Sequence, residues 1–169
     1  MLVIAKKGRN MRACFAAFAV VATLVLALFS SAASASNLPP GGMTIDEVVS
    51  WLRGAGYGAE IRTNSKGERN VYSSAGGNDF HIYLYDCKQD RCGSFQFSAG
   101  FDTKGTQSVA QMNTWNRTNR WARAYVDNVN DPWVEYDIDL SPGGTYEILN
   151  DEFAIWRDAL VRFRKAINF

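Results

Sequence analysis

The sequence contains one histidine, His81, and only three cysteines, Cys14, Cys87 and Cys92. A hydrolase built on a serine or cysteine nucleophile needs a neighbouring base and a third group that orients the base. His81 falls in the middle of a predicted strand, and no G-x-S-x-G motif accompanies it. Common structural zinc sites need four Cys and His ligands, and only Cys87, Cys92 and His81 lie outside the first 35 residues. We therefore expect no catalytic residues, no bound metal and no other cofactor.

Basic residues are also few once the first 35 residues are set aside. The chain has 18 basic and 17 acidic residues, and its first 35 residues hold four of the basic ones and none of the acidic ones. Residues 36–169 therefore carry 14 basic and 17 acidic side chains, a net charge of −3. Nucleic-acid binding depends on a basic patch or stripe. We therefore expect no nucleic-acid partner.

The first 35 residues are typical of a secretory signal peptide. Basic residues precede an apolar run at residues 13–29, and small residues then lead to Ala33-Ser34-Ala35. These are the charged, apolar and small-residue parts of an export signal. We predict cleavage after Ala35, which leaves a periplasmic or secreted protein without a membrane attachment. An uncleaved anchor is the alternative, since the apolar run is near the short end of what spans a bilayer, roughly 17–25 residues.

Cysteine usage agrees with export. Cys14 would be removed with the signal peptide, which leaves Cys87 and Cys92 in a C-x4-C arrangement. Two cysteines in an oxidising compartment tend to pair, so we predict a Cys87–Cys92 disulfide. The alternative is one half of a metal site, which would need further ligands.

The hydrophobic pattern predicts one α+β domain at residues 43–169, after a flexible leader at residues 36–42 that contains Pro and Gly. Thr44 and Glu47 form the signature of a capping box at the start of the first helix. Hairpin strands with helices between them indicate a twisted antiparallel sheet with flanking helices. The predicted order is α-β-β-β-β-α-β-β-α. It begins with a helix from Thr44 to Gly54 or Gly56, strands at 59–63 and 69–73, and a hairpin at 79–101. A helix at 108–119, with Val109, Met112 and Trp115 on its buried side, is followed by strands at 121–127 and 133–140 and by a helix from Tyr146 or Asn150 to Ile167.

The hairpin at residues 79–101 has one register that suits both the cysteines and the apolar residues. In this register the apolar side chains of the two strands oppose one another on one face, and tyrosine opposes glutamine on the other face. A slip of one residue would move every side chain to the wrong face. The predicted cross-strand pairs are Cys87–Cys92, Leu84–Phe95, Ile82–Phe97 and Tyr83–Gln96.

A set of four residues forms the candidate partner-binding surface, which we call the Tyr face: Tyr83, Tyr85, Gln96 and Tyr125. Aromatic side chains with polar tips are common on surfaces that contact partners. The alternative is that this face is covered by a helix or buried within a homodimer, because exposed and covered sheet faces can share this composition.

Acidic residues of the predicted strand at 133–140 alternate with its apolar residues. Glu135, Asp137 and Asp139 share one sheet face, but successive carboxylates there are about 7 Å apart, which is too wide for a tight cation site. We expect a solvated face on which Arg123 pairs with these acids. The acidic segment 127–131 lacks the glycine and closing glutamate of a calcium loop and is predicted to be a turn.

The segment Asn113-Thr114-Trp115-Asn116-Arg117, followed by the strands at 120–127 and 134–140 and the closing helix, resembles the YbjN family of bacterial proteins. The resemblance implies a fold like that of type III secretion chaperones. The family is labelled as bacterial sensory transduction regulators, a label that names no reaction and no ligand. The asparagines of this motif either contact a partner or cap the helix end, and Trp115 is expected to be a core anchor.

These observations together predict an exported, non-enzymatic binding module that recognises a protein or peptide partner, in a chaperone-like or regulatory role. A homodimer is an open alternative for its assembly. The competing functional hypotheses are a periplasmic small-molecule or metal sensor domain and an uncharacterised enzyme.

The signal peptide and the disulfide can be tested in one measurement. Intact-mass analysis of the protein exported by a bacterium should give the mass of residues 36–169 less two hydrogen atoms, because the leader is cleaved and both thiols are oxidised. A soluble cytosolic product that keeps its first 35 residues and two free thiols would contradict the prediction.

Overall fold

The structure is a computed structural model that describes residues 36–169, so the predicted signal peptide and its cleavage point after Ala35 lie outside the described residues. Across the described part, no helix combines the length and the apolar character needed to cross a bilayer. The helices and strands occur in the predicted order. They are α1 Ile45–Gly54, β1 Ala59–Thr63, β2 Arg69–Ala75, β3 Asn78–Lys88, β4 Arg91–Gly100, α2 Val109–Thr118, β5 Arg123–Val126, β6 Pro132–Asp139 and α3 Tyr146–Ala166.

The six strands form one open sheet in the order β1-β2-β3-β4-β6-β5, and every neighbouring pair is antiparallel. Strands β1 and β5 are therefore its edges. The α+β class and the antiparallel sheet predicted from the pattern are confirmed.

Each helix begins at a side chain that accepts a hydrogen bond from the first turn. Thr44 and Glu47 form the predicted capping box, with the Thr44 N–H donating to Glu47 Oε2 at 2.9 Å. A second box joins Ser108 and Gln111 at the start of α2. Thr145 accepts a hydrogen bond from the Ile148 N–H at the start of α3. These bonds satisfy amide groups that the helix itself cannot pair.

The predicted hairpin register is confirmed. A two-residue turn joins β3 to β4, and the side chains alternate between the two sheet faces as expected. The structure contains all four predicted pairs, Cys87–Cys92, Leu84–Phe95, Ile82–Phe97 and Tyr83–Gln96.

The core lies between one face of the sheet and the apolar stripe of α3. The Trp156 ring is fully buried and lies 5.6 Å from the ring of Phe97 and 5.9 Å from the ring of Phe80, measured between centroids. Aromatic contacts of this kind add to the gain from burying apolar area. The stripe on α3 is the predicted one, Leu149, Phe153, Trp156, Leu160, Phe163 and Ile167, and all six residues are buried.

Two predictions about local structure are wrong. Val109 is 62% exposed rather than buried, because α2 contacts the core through its later residues Met112 and Trp115 and not through its first residue. Strand β5 begins at Arg123 and not at Trp121. The backbone of Trp121 has φ 78°, which lies outside the range of a strand.

Residues 36–42, predicted to be a flexible leader, contact the domain in the structure. Leu38 is buried, and its N–H donates to the carbonyl oxygen of Gly144 at 2.9 Å. Met43 then exchanges two backbone hydrogen bonds with Cys92. Gly42 has φ 93°, and a side chain there would collide with the Cys92 carbonyl, so glycine is required for this approach. Backbone hydrogen bonds near both ends of the segment thus hold it against the domain.

Neighbouring residues of α3 provide a matched test of the core. Leu160 is fully buried and Val161 is 56% exposed. Leu160→Ala should lower the free energy of unfolding by about 2–5 kcal/mol, because it removes buried methyl groups and leaves a cavity. Val161→Ala should change it by less than about 0.5 kcal/mol. Urea denaturation of both variants measures the difference, and equal losses would contradict this packing of α3.

Candidate functional site

The outer face of the sheet is the side opposite the helices. Side chains alternate along each strand, and on β3, β4 and β6 the residues that face the helices are buried in the core. Residues between them point to the outer face, where Tyr85 is 48% and Tyr125 is 40% exposed. The Tyr face therefore lies open in the part of the chain that the structure describes, and the alternative of a covering helix does not hold there.

Cross-strand pairing brings the residues of the Tyr face together with acidic residues of β6. Tyr83 opposes Gln96, and Gln96 in turn opposes Asp137. The Gln96 side chain donates from Nε2 to Asp137 Oδ1 at 2.9 Å, which holds the amide in one orientation. A row of an aromatic ring, an amide and a carboxylate thus runs across three neighbouring strands.

Glu135 is the centre of a second polar group on the outer face. Its carboxylate accepts hydrogen bonds from Tyr125 Oη at 3.0 Å and from the Arg123 guanidinium at 2.9 Å. Arg123 also donates to Asp137, so the predicted pairing of Arg123 with these acids is confirmed. Burial, followed by the hydrogen bond to Glu135, raises the pKa of Tyr125 to about 12. Tyr125 therefore keeps its proton and acts as a hydrogen-bond donor at neutral pH.

Trp133, which is not among the predicted residues of the Tyr face, also belongs to this surface. Its indole stacks beside the Tyr125 ring, with 6.4 Å between centroids and an angle of 8° between planes. The indole also lies over Gly100, where an added Cβ would be 2.7 Å from its ring atoms. Glycine at position 100 is therefore what lets the ring lie close to the sheet. Alternation along β6 could have revealed this position, because Trp133 shares the parity of Glu135.

His81 and Tyr72 extend the aromatic surface towards β2. The His81 ring lies 5.4 Å from the Tyr72 ring and 5.9 Å from the Tyr83 ring. Asn70, which is buried, places its Oδ1 2.7 Å from His81 Nδ1. Burial, followed by the charge of Arg62, lowers the pKa of His81, so the imidazole is neutral at pH 7. His81 is thus held as part of an aromatic row.

The outer face carries aromatic rings together with polar groups. It offers ring faces, one neutral imidazole, tyrosine hydroxyls and fixed carboxylates. Burial, followed by the charge of Glu135, raises the pKa of both Tyr83 and Tyr85, so these hydroxyls also remain protonated. Among residues 36–169, no three His, Cys, Asp or Glu side chains are grouped to hold a metal ion.

The motif residues on α2 lie apart from the Tyr face. Trp115 is buried and packs against Phe163 of α3, with 5.1 Å between ring centroids, so it is the core anchor that the sequence predicted. Asn113 and Arg117 are exposed. The sequence correctly placed these residues on one helix but did not separate their roles.

Asn116 connects α2 to the edge of the sheet. Its side chain accepts a hydrogen bond from the Ala124 N–H at 2.7 Å and donates one to the Ala124 carbonyl oxygen at 3.0 Å. The Asn116 side chain therefore pairs with the backbone of the edge strand β5, as a neighbouring strand would. The alternative that it caps the helix end does not hold. Asn119 is the C-cap, and its Nδ2 donates to the Trp115 carbonyl oxygen at 3.2 Å.

Comparison with known protein families agrees with this architecture. Residues 44–169 match the family model YbjN, which is described as "Putative bacterial sensory transduction regulator". The chain belongs to the YbjN family. The match contains the N-x-W-N motif and all three helices and six strands, so the resemblance inferred from the motif is confirmed. No curated protein matches the chain.

The two asparagines of the motif give a matched test of the link between α2 and β5. Asn116→Ala should lower the free energy of unfolding by about 1–3 kcal/mol, because it leaves the backbone groups of Ala124 without partners. Asn113→Ala makes the same change on the same helix, where both asparagines are exposed, so the helix-propensity effect is similar and the bonds to Ala124 are the difference. Urea denaturation compares the two, and a loss at Asn113 as large as at Asn116 would contradict the assigned role.

Proposed function

We propose that this protein is an exported, non-enzymatic regulatory module of the YbjN family that binds a protein or peptide partner through the Tyr face. The observation that carries the proposal is an open aromatic surface, on which Tyr85 and Tyr125 are both at least 40% exposed and Tyr125 is held by its hydrogen bond to Glu135. Exposed aromatic patches rimmed by polar groups mark interaction sites.

The shape and chemistry of the outer face favour a macromolecular partner. Small-molecule sites are concave and bury most of their ligand. The outer face is instead a broad sheet surface on which rings and carboxylates occur in rows across β3, β4 and β6. Tyrosine, tryptophan and arginine are the residue types enriched where proteins meet. Tyr83, Trp133 and Arg123 supply all three types within one surface.

Three observations support the remaining parts of the proposal. The family is described by a regulatory role and not by a reaction. His81 contacts Asn70 and neighbouring rings, and in the described residues no hydroxyl or thiol nucleophile is hydrogen-bonded to it. Export is supported by the signal-peptide pattern and by the position of Cys87 opposite Cys92 at the tip of the β3–β4 hairpin.

Partner capture tests the proposal. The wild-type protein, Tyr85→Ala and Ile148→Ala are used as bait in periplasmic extract. Ile148 is 53% exposed on α3 and so provides an apolar control on the helical side. Both changes affect exposed side chains and should alter stability by less than about 0.5 kcal/mol. We expect the wild type and Ile148→Ala to retain one specific protein that Tyr85→Ala loses.

Two outcomes would contradict the proposal. One is an identical set of captured proteins for all three baits. The other is a wild-type homodimer in light scattering that Tyr85→Ala converts to monomer, because the Tyr face would then be an interface between copies of this chain.

A further inference from the structure

A groove of about 500 Å³ lies between α2 and α3, on the side of the domain away from the Tyr face. Its volume falls within about 300–1,000 Å³, the range of small-molecule sites, and it is open to solvent on one side, where Ala110 and Thr114 are exposed. Trp115, which is 5% exposed, forms part of its lining. The groove belongs to neither the outer face nor the link between Asn116 and β5, so it needs an explanation of its own.

Small side chains create the groove. Ala110, Thr114 and Thr118 are four residues apart and therefore form one line along α2, and Ala166 faces them from α3. The Thr114 hydroxyl donates to the Ala110 carbonyl oxygen at 3.0 Å, and the Thr118 hydroxyl donates to the Thr114 carbonyl oxygen at 2.8 Å. These hydroxyls are thus satisfied within the helix, and this wall needs no hydrogen bond from a ligand.

The charged groups at the groove are all positive. Arg162 and Lys165 contribute to the lining, and no carboxylate does. Arg162 is paired with Asp158 at 3.1 Å, whereas Lys165 has no carboxylate within salt-bridge distance among residues 36–169. The Trp115 indole N–H is buried and has no hydrogen-bond partner in the same part of the chain. An apolar wall and one available ammonium group together favour a ligand with an apolar body and an anionic head.

We propose that the α2–α3 groove binds a single-chain carboxylate of the fatty-acid type, with its carboxylate at Lys165 and its chain along Ala110, Thr114 and Thr118. The groove follows α2, whose ten residues are about 15 Å long. This length accommodates one medium-length acyl chain, and the ammonium group of Lys165 near one end favours a ligand whose anionic group is at one end. The binding site is independent of the proposed Tyr-face partner.

Calorimetric titration with decanoate tests this site, using decanol as the ligand of equal chain length without charge. The protein is purified as the form that accumulates in the expressing cells. Decanoate is kept below the concentration at which it forms micelles. We expect one decanoate per chain and at least about tenfold weaker binding of decanol. Lys165→Gln should weaken decanoate binding about tenfold and leave decanol binding unchanged, since only the charge-assisted contact is lost.

Two further variants complete the experiment. Ala110→Phe should abolish binding of both ligands because it fills the groove, and its circular dichroism shows whether it is folded. Lys66→Gln removes an exposed lysine in the turn between β1 and β2 and should bind decanoate like the wild type. If Ala110→Phe does not fold, Lys165→Gln alone decides between the outcomes.

Several results would overturn the proposal. They are no decanoate binding by the wild type, binding only above the micelle concentration, or equal affinities for the wild type and Lys165→Gln. Binding of an acidic amphipathic peptide without any binding of decanoate would assign the groove to a partner helix instead.

Discussion

The packing of α3 against one face of the sheet is the interaction on which the rest of the structure depends. Trp156 and Phe153 of this helix meet Phe97 and Phe80 of the central strands, and all four rings are buried. An amphipathic helix and a sheet with one apolar face must bury those surfaces against each other. Because α1 and α2 join the same core, the helices occupy one side of the sheet, and the outer face is left uncovered in the described part of the chain.

The outer face is ordered by its own side chains. Glu135 links Tyr125 to Arg123, and Gln96 links the Tyr83 row to Asp137. These bonds hold the polar groups in fixed positions, which would lower the entropy cost of the proposed association. The same bonds keep the acidic residues of β6 paired with donors on neighbouring strands, as expected for carboxylates on a half-buried sheet surface.

The features that define family membership and the proposed binding surface lie in different places. Trp115 and Asn116 fasten α2 to α3 and to the edge strand β5, so the sequence motif supports the architecture. The Tyr face and the groove between α2 and α3 are surfaces that this architecture creates. Because the residues of the family motif support the packing of α2, the resemblance predicted the fold but named no ligand.

Local pattern by itself determined the order of the helices and strands, the capping box at Thr44 and the register of the hairpin at Cys87 and Cys92, because each depends on residues close together in the chain. Only the tertiary structure decided which sheet face stays open, that the Trp133 indole stacks beside the Tyr125 ring, and that Asn116 pairs with Ala124. Those outcomes depend on which elements pack together across long sequence separations. Neither periodicity nor spacing along the chain carries that information.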